Sequence, residues 1–243
     1  MGGMNPPSYA ARIRPVIDRV YTGLRRAAMP RQRAVYEKFG ATPGFESSFY
    51  FGLLARPMSA AGFAAATTYS GADMTGEREQ GVATVDDDGN WGLTERGREL
   101  ALAVQWAVAD GAEEAWGQTP IATMPGLSVV PRLAELVGRL LDAGRESGGP
   151  AFRALTPVFE PADATPSLLL ASRLGALRHH RGDAHRAAWQ GRGLSLDELR
   201  ELSGGAQRQA IEDETDRLDA PIYAVLTADE RLELLAGLGA LPG

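Results

Sequence analysis

Ala83 to Thr94 read ATVDDDGNWGLT. Two short β-compatible runs flank an Asp-Gly-Asn turn, which is the chemistry of a tight hairpin. Upstream, FYFGLLARP (49–57) reads as a helix, and Ser59 is placed to cap a second helix, SAAGFAAATTY (59–69). A third short helix is expected over Asp73 to Val82. Downstream, TERGRELALAVQWAV (94–108) reads as a fourth. Helix, helix, helix, hairpin, helix is the order of a winged helix-turn-helix, so residues 45–116 are expected to form such a module. Trp91 opens the second run and is expected to pack the hairpin against a preceding helix.

The segments on either side are also helical. In residues 1–44, Val16, Ile17, Val20 and Leu24 recur at helical spacing, and Pro15 and Pro30 are expected to bracket that helix, since proline breaks a helix interior. Residues 117–165 read as a helical linker, LAELVGRLLDAGRES between the loops TPIATMPG (119–126) and ESGGPAFRALTPVFEPADATP (146–166). The second loop is the best domain boundary. Residues 166–243 read as helical throughout: 167–193, 194–204, 206–226 and 227–241. Ser195 and Thr227 are placed as N-caps, and Gly191, Gly193 and Gly204 lie where helices stop. The fold class is therefore mostly α, with one small hairpin and a second helical module.

Composition narrows the function classes. The chain has 243 residues, no Cys and a net charge of −6. A disulfide framework, a thiolate metal site and a cysteine nucleophile are excluded. No apolar run approaches a membrane span and the first residues lack the pattern of a secretory signal, so a cytoplasmic protein with no membrane partner is expected. Charge is unevenly spread. Residues 1–40 hold eight bases against Asp18 and Glu37, which makes Arg19 and Arg26 a docking surface for an acidic partner. Residues 70–99 hold three arginines against eight acids. Three consecutive Asp at a wing tip oppose phosphate binding, so DNA is not the expected partner.

Chemistry concentrates in Leu177 to His185, LRHHRGDAH, which holds all three histidines of the chain. On a helix, His179 and Asp183 lie i,i+4 and His180 and Asp183 i,i+3, so Asp183 can orient one imidazole. His180, Asp183 and His185 spread over too much of the helix circumference to hold one metal ion, and two of them would need Glu212 or Asp216; no metal is expected. One reading is a satisfied polar network joining this helix to the IEDETD helix, through Arg181 or His185 with Glu212 or Asp216. The other is an anion-and-base pocket, with Arg178 and Arg181 holding a negative group and Asp183, His180 or His185 taking a proton. Trp189 and Tyr223 would line that pocket. No phosphate loop, GxSxG elbow or HExxH occurs and no cofactor is implied.

HRGDAHRAAWQGRGLS together with IEDETDRLDAPIYAVL resembles an actinobacterial family of helix-turn-helix-like proteins, mostly of unknown function, with the patterns LRxHRGDxHxAAL and IExxTDxLAxPxW. FYFGLLARPMSAAGFAAATTYSG is similar to the YFxxRAAPLG segment of that family. The chain departs from the family in having Arg19-Val20-Tyr21 where a first-helix His is usual. Only RELSGGAQRQ stands where the family carries a second wing. A looser likeness runs to aziridine-forming proteins of azinomycin-type biosynthesis. That likeness implies amine displacement of a sulfate ester on a substrate held by an acidic carrier protein. The expectation is a small-molecule enzyme or ligand-binding protein of secondary metabolism; a ligand-responsive transcriptional regulator and a non-catalytic partner subunit are the alternatives.

Overall fold

The computed structural model describes residues 5–43, 47–117 and 129–243; the expected loop over 119–126 and the expected module start at Phe45 lie outside them. The described residues form eleven α-helices, one 3-10 segment and one two-stranded hairpin. The class is mostly α. No helix among them is long and apolar enough to cross a membrane.

Helix α1 runs unbroken over Pro6–Phe39, through both Pro15 and Pro30, and not between them as their placement predicts. Each interior proline costs ~3 kcal/mol, whereas each fully buried large apolar side chain contributes about 1.5–3 kcal/mol. Helix α1 buries Tyr9, Ile13, Ile17, Val20, Tyr21 and Leu24 on one continuous face, so packing outweighs the two lost hydrogen bonds. Asn5 caps its start by accepting from Ser8 N–H at 3.0 Å, and Gly40 ends it in the left-handed region at φ 59°. A Cβ on Gly111 would stand 2.7 Å from Ala28 Cα, so that glycine lets α1 and α5 (Glu95–Gly117) pack backbone to backbone.

Helices α2 (Ser47–Ala55), α3 (Ala60–Ala66) and α4 (Thr75–Glu79) precede strands β1 (Ala83–Val85) and β2 (Trp91–Leu93). The element order between Ser47 and Gly117 is thus the one read from the sequence. Helix α4 is much shorter than the expected 73–82. Ser59 caps α3 through Gly62 N–H at 3.1 Å. The strands pair antiparallel, Ala83 with Leu93 and Val85 with Trp91. At the tip, the Asp86 carboxylate accepts from the main-chain N–H of Asp88 and Asn90 and from the Asn90 amide, which fixes the turn. Trp91 stacks on Phe63 of α3 at 5.1 Å and seals a small core with Leu53, Met58 and Leu155.

Helix α6 (Val129–Ser147) packs along α8 (Pro166–Gln190) and buries Leu133, Leu136, Val137 and Leu140 in the main core, which also draws on α1, α5 and α11 (Ala228–Ala240). The stretch between α6 and α8, read as a boundary loop, holds helix α7 (Pro150–Leu155) with Phe152 fully buried. Ser195 and Thr227 form capping boxes with Glu198 and Glu230 for α9 (Leu196–Glu201) and α11. Helix α10 (Ala206–Asp219) stops where the sequence pattern continues to Leu226. Residues Ala220–Val225 form a 3-10 segment, because Pro221 lacks the N–H that would extend the α ladder.

Candidate functional site

Helix α8 carries the HRGDAH residues as one uninterrupted helix, so side chains three and four apart share a face and the cluster splits in two directions. One direction opens on a cleft of about 390 Å³ between α1, the turn after α3, α8 and α10. Its walls include Ile17, Ala65, Ala66, Tyr69, Leu177 and Tyr223. Its charged groups are Arg14, Arg178, Arg181, Arg186 and Arg208 against Asp18 and Glu212, with His179 and His185 among them. Five guanidiniums face two carboxylates in the wall itself, and Asp216 and Asp183, just outside it, pair with Arg181 and Arg186.

Glu212 is the hub. Arg14 Nη1 donates to its Oε2 at 2.8 Å, Arg181 Nη2 stands 3.5 Å from the same oxygen, and Arg208 Nη2 lies 3.4 Å from Oε1. Arg181 also donates to Asp216 Oδ1 at 2.7 Å. The sequence-level network between the HRGDAH and IEDETD helices is therefore present, through Arg181 to Glu212 and Asp216. Burial lowers the affinity of Arg181 for its proton, but Asp219 and Asp216 outweigh that and hold it above its usual value. Asp216 is not part of the cleft wall. Arg178 donates through Nε to Asp18 at 3.1 Å and lies over the Tyr21 ring at 4.4 Å. Its two terminal nitrogens donate to no group among the described residues, so they remain for a ligand.

His185 lines the cleft. Its Nδ1 is 2.8 Å from Tyr69 Oη, and that oxygen accepts Trp189 Nε1–H at 3.1 Å. Indole can only donate, and the phenolic oxygen keeps a second lone pair and its own hydrogen, so the contact accommodates His185 with its hydrogen on Nδ1 or on Nε2. Nε2 is buried, has no hydrogen-bond partner among the described residues, and lies 4.0 Å from Glu212 Oε1. Burial lowers the His185 pKa; Glu212 opposes this, and Arg208, Arg14 and Arg181 add to it. His179 is pushed down to about 3 by burial, then by Arg178 and Arg186. Both imidazoles are thus neutral at pH 7.

Besides Asp216, three more expected site residues lie elsewhere. Asp183 is not an available base: Oδ1 accepts from Ala151 N–H at 3.2 Å, Oδ2 from Phe152 N–H at 2.8 Å, and Arg186 pairs with Oδ1. It caps helix α7 from a distant helix, because α7 has no side-chain cap of its own. It does not orient His180, whose ring nitrogens are taken by Asp219 and Ser147. His180 is 2% exposed and turned away from the cleft. Its Nδ1 pairs with Asp219 Oδ1 at 2.7 Å, and its Nε2 with Ser147 Oγ at 3.0 Å. Trp189 is packed with Ala188, Leu199 and Ile211 and reaches the cleft only through its bond to Tyr69. Tyr223 does line the cleft, its hydroxyl donating to Asp219 at 3.3 Å.

The amino-terminal arginines divide likewise. Arg19 donates to the carbonyls of Leu241, Leu238 and Gly239, tying α1 to the end of α11, whereas Arg26 is exposed. Sequence reasoning missed Tyr69, Arg14, Asp18 and Arg208. The i,i+4 pairs Arg14–Asp18 and Arg208–Glu212 were a readable signal for three of them; Tyr69 had none. Among the described residues no group of three or more His, Asp or Glu side chains is placed to hold a metal ion. No family model, curated protein or solved structure matches this chain.

Proposed function

We propose that the chain is a small-molecule enzyme that takes an anionic substrate in this cleft and exchanges a proton with it through His185. The observation that carries the reading is a guanidinium, Arg178, whose terminal nitrogens have no partner among the described residues, in a cleft that also holds a neutral imidazole with an unpartnered nitrogen. Unpaired buried polar atoms are rare in folded proteins and are commonly completed by water or ligand. A ligand oxygen entering beside Glu212 would give Nε2 the partner it lacks, while Arg178 and Arg208 neutralise the ligand's charge.

The scaffold reads as a winged helix turned to another use. Helix α4 spans five residues where a recognition helix would stand, and Asp86, Asp87 and Asp88 sit at the hairpin tip. These features favour the enzyme over a transcriptional regulator. In its sharper form the reaction is aziridine closure: an amine nitrogen bonds to the carbon that bears the sulfate, the carbon–oxygen bond to sulfate breaks, inorganic sulfate leaves toward Arg178, and the amine proton passes to the Nε2 lone pair of the His185 tautomer that carries its hydrogen on Nδ1, leaving an imidazolium beside Glu212. An acidic carrier would bring the substrate to the exposed basic side of α1, where Arg26 lies.

Calorimetric titration with inorganic sulfate, inorganic phosphate and a small alkyl sulfate tests the reading. Sub-millimolar binding that falls at least ~10-fold in Arg178→Ala, with little change in melting temperature, is the expected result. An absence of binding, or equal binding by the variant, overturns it.

A further inference from the structure

On the far side of α8 from the cleft, Ser147, His180 and Asp219 stand in a row. Asp219 is 1% exposed, and its Oδ1 is 2.7 Å from His180 Nδ1. A carboxylate can only accept there, so the imidazole proton is on Nδ1 and the lone pair is on Nε2. That lone pair faces Ser147 Oγ at 3.0 Å. In that tautomer serine donates to histidine, and histidine donates to aspartate. Tyr223 Oη at 3.3 Å and Arg181 Nη1 at 3.6 Å hold the second Asp219 oxygen, so the carboxylate cannot turn away. Phe152 packs edge-on to the imidazole at 5.3 Å and fixes its plane. Ser147, at the end of α6, is exposed.

We propose that Ser147, His180 and Asp219 form a second, solvent-facing nucleophilic site, distinct from the cleft, that accepts acyl groups from small activated esters. Serine is a weak nucleophile alone and is activated by an oriented neutral histidine, and this arrangement is recognised by its geometry and roles and not by its place in a sequence. In the reaction, Ser147 Oγ bonds to the ester carbonyl carbon while its proton moves to His180 Nε2. The tetrahedral intermediate collapses, the carbon–oxygen bond to the leaving alcohol breaks, and that alcohol takes the proton from Nε2. Water then attacks the acyl-serine by the same route, releasing the carboxylic acid and restoring the serine.

The main chain after Ser147 leaves one amide uncommitted. Gly148 N–H is taken by Gly144 O at 2.7 Å, Pro150 has no N–H, and the amides of Ala151 and Phe152 serve Asp183. Gly149 N–H, two residues past the serine, donates to no group among the described residues. Ser147 is exposed, so the acyl donors this site accepts are short and unselective in their side chain. The site stands on residues other than those of the cleft, and its test is independent of sulfate or phosphate binding.

The test is covalent labelling of the intact chain. A fluorophosphonate probe and p-nitrophenyl acetate are applied to wild type, Ser147→Ala and Asp219→Asn, with the site of addition read by mass spectrometry. One adduct on Ser147 is expected in wild type and none in Ser147→Ala, an exposed change that leaves the fold intact. Asp219→Asn should slow acylation by ~10²-fold or more, because the amide favours the wrong imidazole tautomer. Circular dichroism establishes that this variant is folded. Should it unfold, Tyr223→Phe, which frees one side of the carboxylate, replaces it, with a smaller loss expected. Absence of an adduct on Ser147, or a labelling rate unchanged by denaturing the wild type, overturns the proposal.

Discussion

The Asp183 carboxylate accepts the main-chain N–H of Phe152 at 2.8 Å across 31 residues of sequence. The bond makes Asp183 the N-terminal cap of helix α7, in company with Ala151 N–H and the Arg186 guanidinium. Asp183→Asn keeps one acceptor oxygen but turns an NH₂ toward a group that needs an acceptor, and leaves Arg186 without its anion. Breaking such a buried pair costs ~3–5 kcal/mol. The expected outcome is a large fall in the urea midpoint, with sulfate binding in the cleft preserved below the new transition. A variant of wild-type stability would show that the carboxylate caps nothing.

Acid should weaken this fold through its histidines before it does so through its carboxylates. His179 is held down to about 3, and His185 below its usual value, first by burial and then by neighbouring arginines, with Glu212 opposing the shift at His185. Below the ordinary histidine value of about 6.5 the unfolded chain takes up protons that the folded chain refuses. Stability is therefore complete above pH 6.5 and declines as pH falls, by up to about 1.4 kcal/mol per unit through His179, with a contribution of the same sign from His185. Urea midpoints at pH 7.5, 6 and 5 read the slope. His179→Asn with His185→Asn should flatten it, and a wild-type midpoint that stays level from 7.5 to 5 refutes the assignment.

Duplex DNA should not bind at physiological salt. Specific readers place a helix in the major groove and draw affinity from phosphate contacts. Helix α4 is a single turn, and its Glu77 is buried with Tyr50 donating to it at 3.0 Å. The hairpin tip offers Asp87 and Asp88 to the solvent. Fluorescence polarisation with pooled genomic fragments checks this, and sub-micromolar affinity with a steep salt slope would contradict it.

What the sequence made legible is what local chemistry decides. Ser59, Ser195 and Thr227 cap helices because a hydroxyl three residues before an open N–H needs no tertiary partner. The Arg181–Asp216 bond was readable because HRGDAH and IEDETD each present charge at helical spacing. The length of α1 was not readable. Its prolines forbid by local rule what burial against α5 and α8 supplies from distant parts of the chain. The partner of His180 was misread for a related reason: spacing within one helix pointed to Asp183, while the fold delivers Asp219 from 39 residues away. Tyr69 meets His185 across 116 residues, a contact that no pattern in either segment announces.

The basic amino terminus gives a pair of variants that separate structure from docking. Arg19 holds three carbonyls at the end of α11, so its positive charge is tied into the fold. Glu cannot donate to those carbonyls and sets a negative charge against oxygens that are already electron-rich. Hydrogen bonds from a charged donor contribute about 1.5–3 kcal/mol each where they are protected, and less at a site as exposed as this one. Arg19→Glu is therefore expected to cost ~1–3 kcal/mol by chemical denaturation, together with earlier hydrogen exchange along α11. Arg26 is exposed, and Arg26→Glu should stay within ~0.5 kcal/mol of wild type. That contrast makes Arg26 the informative site for an acidic partner. With an acidic carrier protein in surface plasmon resonance, Arg26→Glu should slow association and flatten its salt dependence while the fold is unchanged. Identical association rates for wild type and Arg26→Glu at low salt would leave α1 a structural helix with a solvated charged face.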